Sequence, residues 1–165
     1  MPTADVDAAA IVATLLAHDV EFVVIGGFAV ELWGVAVPPT VDIDITPERS
    51  HDNLERLANA LDELGAQLRS GDERVPVGGG FSADLLAGGR IWNLWTSAGP
   101  IDITLEPAGT HGYSTFIAGI ALLDYRGVAV PTADLADVAR SKEAAGRAKD
   151  LMVLPAILDH LRRSG

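Results

Sequence analysis

The chain has 165 residues, 48% of them hydrophobic and 21% charged, a balance that fits one globular domain with a buried core and excludes general disorder. Cysteine is absent, which excludes disulfides, thiolate nucleophiles and Cys-based zinc sites and leaves any metal to oxygen ligands or to four scattered histidines, His18, His51, His111 and His160. The net charge of −11 argues against broad nucleic-acid binding through a basic surface, although four of the twelve cations, Arg140, Lys142, Arg147 and Lys149, fall within ten residues.

In chain order, Ile11, Leu15 and Leu16 stand at helical spacing and predict a helix from about Asp7 to His18, with Asp5 or Asp7 as its cap. Val20 to Ile25 is rich in β-branched and aromatic residues and predicts a strand that Gly26-Gly27 ends. A short helix from Phe28 to Trp33, stopped by Gly34, leads through Pro38-Pro39 to a second strand, Val41 to Ile45. The apolar stretch Val20 to Val37 is interrupted by Glu21, Glu31 and the two glycines, too broken to span a bilayer. Arg49 is the first basic residue, so the basic start of a signal peptide is missing and a cytoplasmic protein is expected.

Thr46-Pro47 or Ser50 then opens an amphipathic helix carrying Leu54, Leu57, Leu61 and Leu64, closed by Gly65. Residues Arg69 to Arg90, with a run of three glycines, read as a mobile loop around one short strand. Ile91 to Thr96 and Ile101 to Leu105 predict a hairpin joined at Gly99-Pro100. A shorter strand or helix pair follows, with a turn at Arg126-Gly127 before Val128 to Val130. From Pro131 onward the pattern is helical, with breaks near Gly146 and Pro155. The expected organisation is a single domain over 1–165, with a core at about 20–105 and a helical part at about 131–163.

The chemistry gathers on aspartates. Val41-Asp42-Ile43-Asp44-Ile45 alternates with period two, which sends Val41, Ile43 and Ile45 to the core and both carboxylates to the other face. Same-face residues on a strand lie roughly 6.5 Å apart at Cα, close enough for two carboxylates to converge on hard divalent ions such as Mg²⁺. A half-exposed strand with an acidic solvent face would give the same pattern. Ile101-Asp102-Ile103-Thr104-Leu105 repeats it, however, and aspartate is depleted in strands, so three such residues need a reason. Gly26-Gly27, between strand and helix, permits close backbone approach by a phosphate or simply a tight turn. Leu135, Val138, Lys142, Ala145 and Lys149 follow a 3-4-3-4 spacing, so Lys142 falls on an inward face, where it reaches a cleft, is paired or snorkels to water. Glu143 and Arg147, four apart, read as a helix-surface pair.

Two segments resemble a known family. Val24-Ile25-Gly26-Gly27-Phe28-Ala29-Val30 with Thr40-Val41-Asp42-Ile43-Asp44 is similar to the minimal nucleotidyltransferase signature, in which a Gly-Gly or Gly-Ser turn precedes a D-x-D strand by a short helix. Ser141-Lys142-Glu143-Ala144-Ala145-Gly146-Arg147-Ala148-Lys149-Asp150 is similar to the lysine-containing segment of AbiEii-type nucleotidyltransferases, including toxins of toxin–antitoxin pairs. With Gly99-Pro100-Ile101-Asp102 the likeness covers about residues 20 to 155.

The resemblance implies an α+β (mixed α/β) fold, a nucleotidyltransferase-type mixed sheet with helices packed on it. It implies Asp42, Asp44 and Asp102 as catalytic carboxylates and ligands of Mg²⁺ or Mn²⁺, Gly26 and Gly27 against the triphosphate of an NTP such as ATP, Lys142 on the phosphates, and Asp150 orienting the nearby cations. The implied activity is transfer of a nucleoside monophosphate from the NTP to a hydroxyl acceptor. A toxin role is implied with it, with an antitoxin partner and a tRNA 3′ end as acceptor, although the net charge of −11 weighs against a large RNA footprint and leaves a small-molecule or protein acceptor open. The pattern is broken in one place. Many relatives carry an arginine just before D-x-D, whereas Gly34 here is followed by Val35-Ala36-Val37-Pro38-Pro39-Thr40 without a basic group. That departure supports the alternative, a non-catalytic nucleotide- or partner-binding member of the same fold.

Overall fold

In a computed structural model that describes residues 6–164, the buried residues collect where aliphatic side chains alternate along strands or recur at helical spacing. The elements run α1 (Ala8–Ala17), β1 (Phe22–Ile25), α2 (Gly26–Leu32), β2 (Ile43–Pro47), α3 (His51–Glu63), β3 (Gln67–Ser70), β4 (Glu73–Val75), α4 (Ala83–Ala87), β5 (Ile91–Thr96) and β6 (Gly99–Thr104). They continue with α5 (Tyr113–Phe116), a 3₁₀ turn at Ile117–Gly119, β7 (Ala121–Tyr125), β8 (Val128–Thr132), α6 (Leu135–Ala145) and α7 (Ala148–Ser164). The eight strands form one sheet in the order β4-β3-β5-β6-β2-β1-β8-β7. It is mixed, because β2 lies parallel to β6 and β1 parallel to β8 while the other neighbours are antiparallel. The expected α+β class with helices on a mixed sheet is therefore the observed one.

Ile43 and Ile45 of β2 and Ile101 and Ile103 of β6 are fully buried, in one core with Ile11, Val12 and Leu15 of α1 and Leu54, Leu57 and Leu61 of α3. Asp7 caps α1 by accepting from the Ala10 N–H at 3.0 Å; Asp5, the other candidate, lies outside the described residues. Ser50, not Thr46-Pro47, caps α3, and Thr46 and Pro47 instead finish β2. Gly146, with φ at +64°, ends α6 as the glycine break predicts.

Several expectations are corrected. β2 begins at Ile43 rather than Val41, because the Thr40 hydroxyl donates to the Asp42 carbonyl at 2.9 Å and its backbone N–H donates to Glu31, bending the chain before the ladder starts. Val41 is accordingly 71% exposed, not core. Gly26 and Gly27 do not precede the helix; they are its first two residues. The stretch from Arg69 to Arg90 is more than a loop around one strand. It contains the end of β3, all of β4 and the short α4, which Ser82 caps by accepting from the Leu85 N–H. Gly99 and Pro100 belong to β6 itself, and the hairpin turns at Ser97 and Ala98. Pro131 lies in β8, and the helical part starts four residues later. Pro155 does not break α7. Both Pro155 and Leu151, whose carbonyl loses its helical donor, lie on the solvent side, where water can serve that carbonyl.

One buried side chain joins α3 to β1. Asn53 is fully buried; its Nδ2 donates to the carbonyls of Glu21 (2.9 Å) and Glu48 (2.7 Å), and its Oδ1 accepts from the Glu21 N–H (2.7 Å). Asn53→Ala strands these backbone groups and should destabilise the protein by about 2–3 kcal/mol in urea denaturation. Glu55→Ala, on the exposed face of the same helix, should change stability by less than about 0.5 kcal/mol.

Candidate metal and nucleotide site

Parallel pairing of β2 with β6 sets Asp44 directly beside Asp102, as Ile43 lies beside Ile101 and Ile45 beside Ile103. The isoleucines face the core, so the two aspartates share the opposite face. Asp42 joins them from the bend ahead of β2, where Thr40 Oγ1 also reaches its carboxylate at 3.3 Å. Each of the three offers a carboxylate oxygen, and these oxygens lie within 4.8 Å of one another, a grouping of acidic or histidine side chains found once among the described residues.

Such a cluster is electrostatically unfavourable by itself. Burial, then the charge of Asp42, then that of Asp102 push the Asp44 carboxyl from its ordinary 3.8 up to about 7. Asp102 is also raised, chiefly by burial and also by Asp42, against the opposing pull of the Arg69 guanidinium. Three crowded oxygen donors suit a hard divalent cation, which takes carboxylate oxygens and keeps positions for phosphates and water.

Beside them, β1 pairs with β2 so that Ile25 lies opposite Asp44, and the chain enters α2 at once. Gly26 has φ at +68°, and a Cβ there would run into Asp44 Oδ2 and sit 3.0 Å from its Cγ. Only glycine lets the backbone pass this close. Gly27 adjoins Thr40, with a would-be Cβ 3.3 Å from Oγ1.

The far wall is the α6–α7 junction. Asp150 is 1% exposed and carries two cations, with Lys142 Nζ at 3.4 Å and Arg147 Nε at 2.6 Å. Burial would raise its pKa, but the Arg147 hydrogen bond and both charges hold it below the usual carboxylate range. Lys142 thus lines the cleft while bound to Asp150. The expected Glu143–Arg147 pair gives way to Arg147–Asp150, because the break at Gly146 places Arg147 just ahead of α7 and Asp150 in its first turn. The same break turns Lys149 into the cleft as an exposed cation whose charge acts on Asp44.

The cleft enclosed by these parts has a volume of about 590 Å³ and is lined by Gly26, Asp42, Asp44, Asp102, Lys149 and Asp150 among others. All seven sequence-predicted site residues, Gly26, Gly27, Asp42, Asp44, Asp102, Lys142 and Asp150, lie on it. Sequence reasoning missed Lys149 and Arg147 as cleft residues, although the i,i+3 spacing of Arg147 and Asp150 was a usable signal. It also missed Arg69, which donates to Asp102 at 2.5 Å from 33 residues away, with no local signal to reveal it.

The sheet order, the Gly-Gly entry to α2 and the three carboxylates describe a nucleotidyltransferase-type fold. Solved structures share it. A provisionally assigned nucleotidyltransferase from Thermotoga maritima superposes with a TM-score of 0.58 at 16% identity, covering 92% of this chain and 89% of its own. The antibiotic-resistance factor ANT(2'')-Ia in solution gives 0.58 at 13% identity, covering 92% and 83%; in complex with adenylyl-2''-tobramycin it gives 0.59 at 13%, covering 92% and 85%. The likeness is one of fold. No family model matches the chain, and no curated protein matches it by sequence. Among the described residues no helix is long and apolar enough to cross a membrane.

The raised Asp44 pKa has a consequence for stability. Its folded value of about 7 lies above the ordinary 3.8, so the folded metal-free protein holds a proton that the unfolded chain has released. The associated stability is fully present below pH 3.8 and is lost as the pH rises through 7. In metal-free buffer, Asp44→Asn should therefore remove part of the decline in urea stability between pH 4 and pH 7 and exceed wild type at pH 8. Parallel pH profiles for the two proteins would contradict this.

Proposed function

We propose that the chain is a metal-dependent nucleotidyltransferase moving a nucleoside monophosphate from an NTP, such as ATP, to a hydroxyl acceptor. The observation that carries this reading is the convergence of Asp42, Asp44 and Asp102 in a nucleotidyltransferase-type fold. These three residues would hold Mg²⁺ or Mn²⁺, which when bound supplies positive charge to offset that building on the transferring phosphoryl group and on pyrophosphate.

In the reaction the acceptor oxygen forms a bond to the α-phosphorus as the bond from that phosphorus to the bridging oxygen breaks. Pyrophosphate leaves, and the hydroxyl proton passes to Asp102 or to water. Gly26 and Gly27 let the triphosphate approach the backbone. Lys149, exposed in the cleft, neutralises phosphate charge, and Lys142 adds to it through its fixed position on Asp150. Asp150 orients Lys142 and Arg147 rather than touching substrate.

The toxin role, the antitoxin partner and a tRNA 3′ end as acceptor rest on the Ser141–Asp150 likeness to AbiEii-type enzymes. A cytoplasmic setting and action as a single domain over residues 1–165 are readings of composition and length. One observation favours a second reading, a non-catalytic binding module: residues 35–40, of which 37–40 line the cleft, carry no basic side chain.

Labelled NTPs, Mg²⁺ and a tRNA or cell-extract fraction separate the two. Wild type should label an acceptor, and Asp42→Asn/Asp44→Asn should reduce transfer by at least about 10²–10³-fold, the usual cost of losing one such stabilising group. A folded wild type that transfers nothing, with all four NTPs and several acceptor classes, would favour the binding module.

A further inference from the structure

The β3–β4 hairpin lies at the edge of the sheet, yet one of its side chains reaches the carboxylates. Gln67 and Leu68 of β3 lie opposite Trp95 and Leu94 of β5. The next residue, Arg69, thereby falls level with Asn93, which faces Asp102 on β6. Arg69 and Asp102 share a face across the intervening strand, a span that a long side chain can bridge.

The arginine is anchored on three sides. Nη2 donates to Asp102 Oδ1 at 2.5 Å, and Nη1 donates to the Leu94 carbonyl at 3.1 Å. The guanidinium also lies 5.6 Å from the Trp95 ring centroid, within cation–π range. Trp95 Nε1 is buried and has no hydrogen-bond partner among the described residues, so the indole engages Arg69 through its ring and not through its polar edge. Both Arg69 and Asp102 side chains are largely buried.

Arg74 lies beside this pair without joining it. It stands directly opposite Arg69 in the β3–β4 ladder, where like charges repel, and it lies 5.3 Å from the same indole. Among the described residues Arg74 has no ion-pair partner, and neither do Asp42 and Asp44; of the three carboxylates Asp102 alone has one. The hairpin thus delivers one cation to one particular member of the triad.

We propose that Arg69 is the positioning residue of the third carboxylate, holding Asp102 through Oδ1 and leaving Oδ2 as the oxygen that works in the cleft. Fixing Asp102 this way places a permanent positive charge beside a site built for a cation. Arg69 therefore opposes cation binding while it fixes the geometry needed for turnover. A residue that only supported the fold would not act in opposite directions on these two properties.

The kinetic part rests on the transferase reading; the binding part does not. Arg69→Gln removes the charge and the planar fork, whereas Arg69→Lys keeps the charge and loses the fork. Mn²⁺ titrated alone into Arg69→Gln, followed by electron paramagnetic resonance, should bind about tenfold more tightly than to wild type, because a unit charge removed from beside the site outweighs the rotamer freedom Asp102 regains. Arg69→Lys should bind Mn²⁺ like wild type. In transfer assays kcat should fall about 10²-fold for Arg69→Gln and less for Arg69→Lys, with KM for NTP within about twofold of wild type.

Arg74→Gln serves as the control for hairpin charge and should leave kcat unchanged. Arg69→Gln that binds Mn²⁺ no more tightly than wild type overturns the proposal, as does Arg74→Gln that reproduces both effects. If wild type transfers nothing, the transferase reading falls by itself, and the Mn²⁺ comparison still decides the role of Arg69.

Discussion

Two carboxylates on one face of a sheet and a third from the bend that precedes it repel one another, and the surrounding structure is arranged around that repulsion. Asp44 and Asp102 have little freedom to separate, because parallel pairing of β2 with β6 fixes their backbones side by side. Asp42 is held by the Thr40 bend. The cost shows in Asp44, whose carboxyl rises to about 7. Cations come close without cancelling the cluster: Arg69 engages only Asp102, Lys142 and Arg147 are engaged by Asp150, and Lys149 acts on Asp44 from the cleft. A divalent ion is the simplest partner for what remains.

The apolar side of the same strands makes that arrangement affordable. Ile43, Ile45, Ile101 and Ile103 are fully buried with α1 and α3 residues. Burying aliphatic side chains of this size contributes about 1.5–3 kcal/mol each. The register that buries the isoleucines is the register that aligns Asp44 with Asp102, since a one-residue slip would send each set to the wrong face. Core packing and site geometry are consequently set by a single strand pairing.

Much of this could be read before the fold was known, for a definite reason. Strand alternation is local, so Asp44 and Asp102 reveal their shared orientation through their own isoleucine neighbours. The same rule ran two residues too far, to Val41, because a side-chain bond from Thr40 bends the chain ahead of Ile43. Partners distant in sequence stayed hidden. Nothing near Arg69 indicates that it meets Asp102, because that contact depends on the order β3-β5-β6. Lys142 and Asp150 could be placed near the cleft from their segment, but the switch of Arg147 from Glu143 to Asp150 required the left-handed turn at Gly146. Pro155 misled because a proline inside a helix is tolerated where its side of the helix meets water.

If the crowded carboxylates are held together to be neutralised by a cation, cation binding must displace the proton on Asp44, and counting released protons tests this most directly. Calorimetric titration of Mg²⁺ or Mn²⁺ into the metal-free protein, repeated in buffers of different ionisation enthalpy, counts the protons displaced. With Asp44 titrating at about 7, binding should release about 0.9 proton at pH 6 and about 0.1 at pH 8, and Asp44→Asn should abolish the difference. Binding without proton release at pH 6, with an affinity that Asp44→Asn leaves unchanged, would contradict the account.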